Sequence, residues 1–135
     1  MKNKIMYVSK EEIEKVKGNL KQDNETYIVE IKGKECLCLS EYLNFMSELL
    51  KFPIKAKGLD GYNDWMRDLS WLDKKQIIII IDNFQVFLQK DISSKKAILE
   101  DFREIILPWW ESEVVDYVVG GETKRMLLYL VDSNV

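Results

Sequence analysis

Residues 77–81 are five consecutive isoleucines. A strand with one face in water alternates apolar and polar residues, so an unbroken β-branched run reads as a strand covered on both faces. Double coverage is the condition of a parallel sheet with helices on either side. A second uninterrupted apolar run at 126–131 reads as another buried strand. Tyr27, Val29 and Ile31, alternating with Ile28, Glu30 and Lys32, read as a third that ends at Gly33.

Helical patterns fill the intervals. Ser40, with Glu41 in the first turn, reads as the N-cap of a helix carrying Tyr42, Leu43, Phe45, Met46, Leu49 and Leu50 until Phe52-Pro53 stops it. A basic loop, Lys55-Ala56-Lys57-Gly58, leads into a second helix over about 59–69. Asp82-Asn83 ends the isoleucine strand, with Asp82 read as a capping residue, and Phe84, Phe87 and Leu88 suggest a short helix. Ser93-Ser94 then caps a longer helix with Ile98, Leu99, Phe102, Ile105 and Ile106, terminated by Pro108. Trp109-Trp110 falls in a wrapped C-terminal loop. Strand, two helices, strand, two helices, strand requires long crossovers. The expected fold is therefore α/β, a small three-stranded parallel sheet flanked by helices.

Residues 1–25 read as an N-terminal helical extension to a domain spanning 26–135. Ser9-Lys10-Glu11-Glu12 fits a capping box, Ile13, Val16 and Leu20 share one helical face, and Lys21-Gln22-Asp23-Asn24 ends the helix.

Composition narrows the function. The chain has 135 residues, enough for one domain with a core that needs no disulfide or metal. It has no histidine, which excludes Ser-His-Asp and Cys-His catalysis and His-ligated zinc or haem. A net charge of -3 argues against a general nucleic-acid binder. Cys36 and Cys38, at i and i+2, match neither a redox CxxC nor a zinc ribbon and read as buried thiols. No apolar run approaches the roughly 18–20 residues of a membrane span, and residues 1–8 lack the apolar stretch of a secretory signal. The expectation is a cytoplasmic protein with no catalytic residue, metal or cofactor.

One constellation needs an explanation. On the helix over 59–69, Leu59, Tyr62, Met66 and Leu69 make the core face, and Asp60, Asn63, Asp64 and Arg67 line the wet face. Asp60 and Asp64, at i and i+4, repel by a few tenths of a kcal/mol. Asp60 regains about that much from the helix dipole, whereas Asp64 lies beyond its reach. Either Asp64 forms a solvated pair with Arg67, or two carboxylates beside a basic loop await a cationic partner. Trp65 and Trp71 read as core-finishing residues.

Phe52-Pro53, the segment Gly58-Leu59-Asp60-Gly61-Tyr62-Asn63-Asp64 and the segment Met66-Arg67-Asp68-Leu69-Ser70-Trp71-Leu72 resemble the signature of the barstar family. That family carries N-L-D-A-L-x-D on its second helix, followed in many members by an R-D-L-x-W-L-like segment. Phe102-Arg103-Glu104 in the last helix is a further similarity, and the resemblance covers about 26–132. It implies a small parallel sheet with helices and a cytoplasmic immunity protein that blocks a secreted ribonuclease before export. By position, Asp64 matches the family's dominant contact, an aspartate in the phosphate pocket of the nuclease. Asp60 matches a supporting aspartate, and Glu104 a glutamate that pairs with an arginine of the enzyme. Gly58, Leu59, Asn63 and Arg67 fall on the same target-binding surface.

Two departures bear on the target. The family's tyrosine-rich loop is here Ile54-Lys55-Ala56-Lys57-Gly58, and Asn63 and Arg67 replace an aromatic and a small polar residue. The added cations blunt the negative field and suit a target with a mixed-charge rim. The implied partner is a cognate ribonuclease or related toxin domain, bound without nucleic acid or membrane by a chain that is monomeric when free. Two alternatives stand beside it: a magnesium-dependent phosphoryl-transfer enzyme using Asp60, Asp64 and Asp68, or a scaffold that self-associates through its Trp-rich C-terminal stretch.

Overall fold

The computed structural model describes residues 2–20 and 23–133, and its sheet is centred on the isoleucines. Strands β1 (Lys4–Val8), β2 (Thr26–Lys32), β3 (Gln76–Asp82) and β4 (Arg125–Val131) lie in the order β1-β4-β3-β2, all parallel. Pairing is in register, Val29 with Ile79 and Ile79 with Leu128. Ile77, Ile79 and Ile81 enter the larger core with Val29, Ile31, Met126, Leu128 and Leu130. Ile78 and Ile80 enter a second core on the other face with Val8, Ile13, Leu127, Tyr129 and Val131. All five isoleucines are 0–2% exposed. Each contributes about 1.5–3 kcal/mol relative to an exposed side chain, so covering both faces dominates the fold.

The sheet has four strands rather than three. Residues 4–8 pair with β4, Lys4 opposite Leu127 through Val8 opposite Val131. The strand is short, begins with a lysine and buries only Val8, so it carries little of the pattern that marks a strand in sequence. Asn3 anchors it: its amide donates to the carbonyls of Leu107 (3.2 Å) and Lys124 (3.1 Å) and accepts from the Met126 N–H at 2.9 Å. Helix α1 (Lys10–Leu20) then crosses beneath the sheet to β2 at the opposite edge and covers Ile78 and Ile80. The residues read as a helical extension therefore supply an edge strand and one of the two covering layers. The capping box closes as expected, with Ser9 Oγ accepting from the Glu12 N–H and Glu12 Oε1 from the Ser9 N–H, each at 3.1 Å. Lys21 and Gln22, expected to help end this helix, lie outside the described residues.

On the larger face sit α2 (Leu39–Leu49), α3 (Leu59–Met66) and a long helical segment at 92–117. The N-cap of α2 is Cys38 rather than Ser40, and the orphan donor ahead of it is satisfied by Glu41, which accepts from the Leu37 N–H at 2.8 Å. Of the two thiols, Cys36 is buried and Cys38 half-buried. Asp82 caps no helix: its Oδ1 accepts from the Gly33 N–H (2.8 Å), tying the ends of β2 and β3. Residues 84–90 form turns rather than a helix, with Asn83 and Leu88 at positive φ.

Asp91, not Ser93 or Ser94, opens the long segment. One carboxylate oxygen accepts from the Ser94 N–H (3.3 Å) and the other from the Leu39 N–H (3.3 Å), so a single side chain serves the starts of two helices. The segment comprises α4 (Ile92–Asp101), a π-helical turn at Phe102–Ile106, a second at Trp109–Glu113 and α5 (Val114–Tyr117). Pro108 does not terminate it; its φ and ψ, -64° and -34°, are helical. Proline lacks an N–H and collides with the carbonyl four residues earlier in a tight α-helix, and the wider π turns flanking it relieve both problems. Trp109 and Trp110 therefore ride on a helix rather than a loop.

Two measurements check this account. A Cβ added at Gly33 would lie 2.1 Å from the Asp82 carbonyl oxygen and 2.7 Å from that of Asn83, so Gly33→Ala lowers stability by about 1–3 kcal/mol in urea unfolding. The hydrogen bonds from Ser94, backed by that from Leu39, hold the Asp91 carboxyl below its ordinary range. Its contribution is present above the unfolded-state value and is lost as pH falls through the lower folded-state value. Asp91→Ala therefore shifts the urea midpoint down at neutral pH, and the gap to wild type narrows as the pH falls below the ordinary carboxylate range.

Candidate protein-binding site

The site begins with how firmly α3 is held. Its core face buries Tyr62 and Met66 completely, and Leu69 just beyond the helix is equally buried. The Tyr62 and Tyr42 hydroxyls hydrogen-bond to each other at 2.6 Å inside the core, and burial drives both phenols well above their ordinary pKa. The loop leading in is pinned where Ser47 Oγ accepts from the buried Ala56 N–H at 3.0 Å. At the other end, the buried Trp110 donates its indole N–H to the Met66 carbonyl at 2.7 Å, satisfying an orphan acceptor at the helix C-terminus. Trp65 and Trp71 pack edge-on to one another (5.6 Å), with Phe52 beside them, and the Trp71 indole donates to the Leu50 carbonyl at 2.7 Å. Both are core-finishing residues, as their sequence positions suggest.

The outer face carries the acids. Gly58, in extended conformation, is the N-cap and offers no side-chain acceptor, so Asp60 in the first turn is what complements the helix dipole. Asp60 is exposed and enters none of the ion pairs among the described residues. Asp64 is 74% exposed and pairs with Arg67 Nη2 at 3.1 Å. An exposed pair of this kind is worth about 0–1 kcal/mol, so it does not commit the carboxylate to its own chain. Arg67 also donates from Nε to the Asn63 carbonyl (3.3 Å) and lies 5.8 Å from the Trp109 ring centre.

Asn63 departs from the wet face assigned to it. It is only 9% exposed, and its amide donates to the Asp101 carboxylate at 3.0 Å. The reason is lateral packing. The helix at 92–117 runs along the flank of α3 and covers the row that contains Asn63. Glu104 lies on the π turn against that flank, three residues after Asp101, and is exposed. Leu59 packs partly against the core, and Gly58 is half-buried. Asp60, Asp64 and Arg67 thus share the outer face of α3, and Asn63 fastens that helix to the adjoining one, on which Glu104 is exposed.

Sequence reasoning passed over Gly61. It is exposed, sits within α3, and nothing lies within 4 Å of where a Cβ would be. Glycine inside a helix costs about 1 kcal/mol relative to alanine, and no packing constraint here demands it. The interruption of a helical pattern by a glycine was the available signal. Asp68 belongs to the turn beyond α3, where it accepts from the Ser70 N–H at 3.2 Å. Among the described residues no three His, Cys, Asp or Glu side chains gather as a metal site.

No helix is long and apolar enough to cross a membrane among the described residues. No curated protein and no solved structure matches the chain significantly. The family model described as Barstar (barnase inhibitor) matches residues 26–120, from the start of β2 through the whole of α3 and the long helical segment. The match takes in both stretches that carry the exposed acids, and with most of its length covered the chain belongs to the barstar family.

Proposed function

We propose that this chain inhibits a ribonuclease by seating the outer face of α3 in the enzyme's active site. The observation that carries the reading is the pairing of opposites on one short helix. One face is locked into the core through Tyr62, Met66 and the Trp110 bond, and the other holds Asp60 and Asp64 one turn apart in solvent. A ribonuclease presents Arg and Lys to the phosphates of RNA, and carboxylates on a rigid support can take the same places. Rigidity matters because little side-chain or backbone freedom remains to be lost on binding. Asp64 occupies the phosphate subsite, Asp60 supports it one turn earlier, and Glu104 pairs with a cation at the rim.

Arg67 sets the specificity. On binding, Asp64 exchanges Arg67 for a cation of the target, a small loss because the internal pair is exposed. The displaced guanidinium, with Lys55 and Lys57, then faces the target's edge and favours one carrying acids beside its basic centre. Gly58 leaves the helix start bare, so backbone can approach backbone. Asn63 contributes through Asp101, holding the two acidic elements in register. On this reading the protein acts in the cytoplasm as a monomer, before its nuclease is exported.

The test is RNA cleavage by barnase, and by any nuclease encoded beside this chain's own gene, with and without the purified protein. Inhibition at one-to-one stoichiometry of at least one of them is expected, and full activity of both would falsify the reading. Asp64→Ala weakens inhibition by about 2–5 kcal/mol, a general range established on charge pairs in complexes of this kind rather than derived from this chain. An Asp64→Ala variant that inhibits as tightly as wild type would also remove it. Gly61→Ala separates stability from binding: it puts the alanine of the family signature in place of glycine, raises unfolding free energy by up to about 1 kcal/mol and leaves inhibition unchanged, since nothing lies within 4 Å of the added methyl.

A further inference from the structure

Beyond Asp64 and Arg67 the same surface continues onto an apolar ledge. Val115, Tyr117, Val118 and Val119 are all exposed, Tyr117 by 76% and Val119 fully. Four large apolar residues within five positions are not needed by either core. The ledge is joined to α3 by direct contact. Arg67, paired with Asp64, lies over the Trp109 ring, and Tyr117 stacks on Trp109 with centroids 5.9 Å apart and planes 22° from parallel. One cleft of about 360 Å³ is lined by both Arg67 and Val118, with Ser70, Trp110 and Lys124 along its walls. The ledge is also held in place. The Val118 N–H donates to the Val114 carbonyl (3.0 Å) and the Gly121 N–H to that of Val118 (2.9 Å). Gly120 turns the chain at a φ of +71°, and a Cβ at Gly121 would lie 2.6 Å from the Val114 oxygen.

We infer that this ledge is the apolar second half of the nuclease-binding surface. The inference rests on the inhibitor reading above and extends it. A stable interface covers about 800 Å² on each partner, more than the outer face of an eight-residue helix presents, so the contact must spread beyond α3. The charges around the ledge select the occupant. Glu113, Asp116 and Glu122 are exposed at its rim, the same sign as Asp60 and Asp64. In the cleft Asp68, Asp73 and Glu122 outnumber Arg67 and Lys124, so a basic enzyme meets net negative charge there, whereas a second copy of a chain with net charge -3 would bring acidic rims together. An apolar centre inside a polar rim is the anatomy of the tightly bound part of an interface.

The experiment compares three variants in the nuclease-inhibition assay, using whichever of the two nucleases the wild type inhibits. Tyr117→Ser/Val119→Ser removes the ledge, Asp64→Ala the phosphate mimic, and Lys96→Ser serves as an exposed control. Tyr117 and Val119 are exposed, so the double variant keeps the wild-type far-ultraviolet circular dichroism and cooperative unfolding, and loss of the Tyr117–Trp109 stack lowers the urea midpoint only slightly. The expected result is inhibition weakened about tenfold or more in the double variant, through faster dissociation, with the control unchanged. Loss in Asp64→Ala but not in the double variant overturns the ledge and leaves the inhibitor reading standing. Loss in neither, or a wild type that inhibits neither nuclease, overturns both. Sedimentation of the free wild type as a dimer that the double variant abolishes assigns the ledge to self-association and likewise overturns the inference.

Discussion

Two-sided burial of β3 is the constraint on which the molecule is built. Five isoleucines cannot all be dry unless one layer lies above the sheet and another below it. One layer is α1, reached because the chain enters as an edge strand and crosses beneath the sheet before β2. The other is the group of α2, α3 and the helix at 92–117. With α1 occupying one face, these three elements must share the opposite one, and that crowding brings α3 and the long helix side by side. The Asn63–Asp101 hydrogen bond and the Arg67–Trp109 contact are consequences of this shared layer.

Crowding also explains the firmness of α3. Eight residues make a helix too short to persist alone in water, and this one has no side-chain N-cap and a glycine in its interior. It is stabilised from outside itself, by the Tyr42–Tyr62 hydroxyl bond, by Trp110 at its C-terminal carbonyl and by the Phe52, Trp65 and Trp71 cluster. A helix so fixed can carry two exposed carboxylates and a glycine whose local energetics are unfavourable. The small repulsion between Asp60 and Asp64 is outweighed by burial on the other face.

The wide helical turns around Pro108 have a structural result of their own. They let one helix run from the capping Asp91 to Tyr117, so the residues facing α3, the acid at Glu104 and the apolar residues at its end belong to one continuous element. Had the proline ended the helix, Trp110 would not reach the Met66 carbonyl, and Tyr117 would not stack on Trp109.

Much of this was legible from residue order alone. The isoleucine run implied a parallel, doubly covered sheet, the Ser9–Glu12 box placed the start of α1, and the spacing of Tyr62, Met66 and Leu69 oriented α3. These features are local: periodicity and capping act within a turn or two of the chain. What they could not decide was everything set by distant partners. Strand β1 exists because β4 offers its edge and Asn3 bridges to Leu107, Lys124 and Met126, none of which leaves a mark near residue 4. Asp91 takes the N-cap in place of the serines through its bond from Ser94, and its second oxygen serves Leu39, more than fifty residues away. Asn63 reads as solvent-facing from helical spacing and is buried because a second helix covers its flank. Composition and periodicity determined the layers; only the packing of one layer's members against each other decided which acidic side chains stayed in water and which polar ones were drawn into the joint.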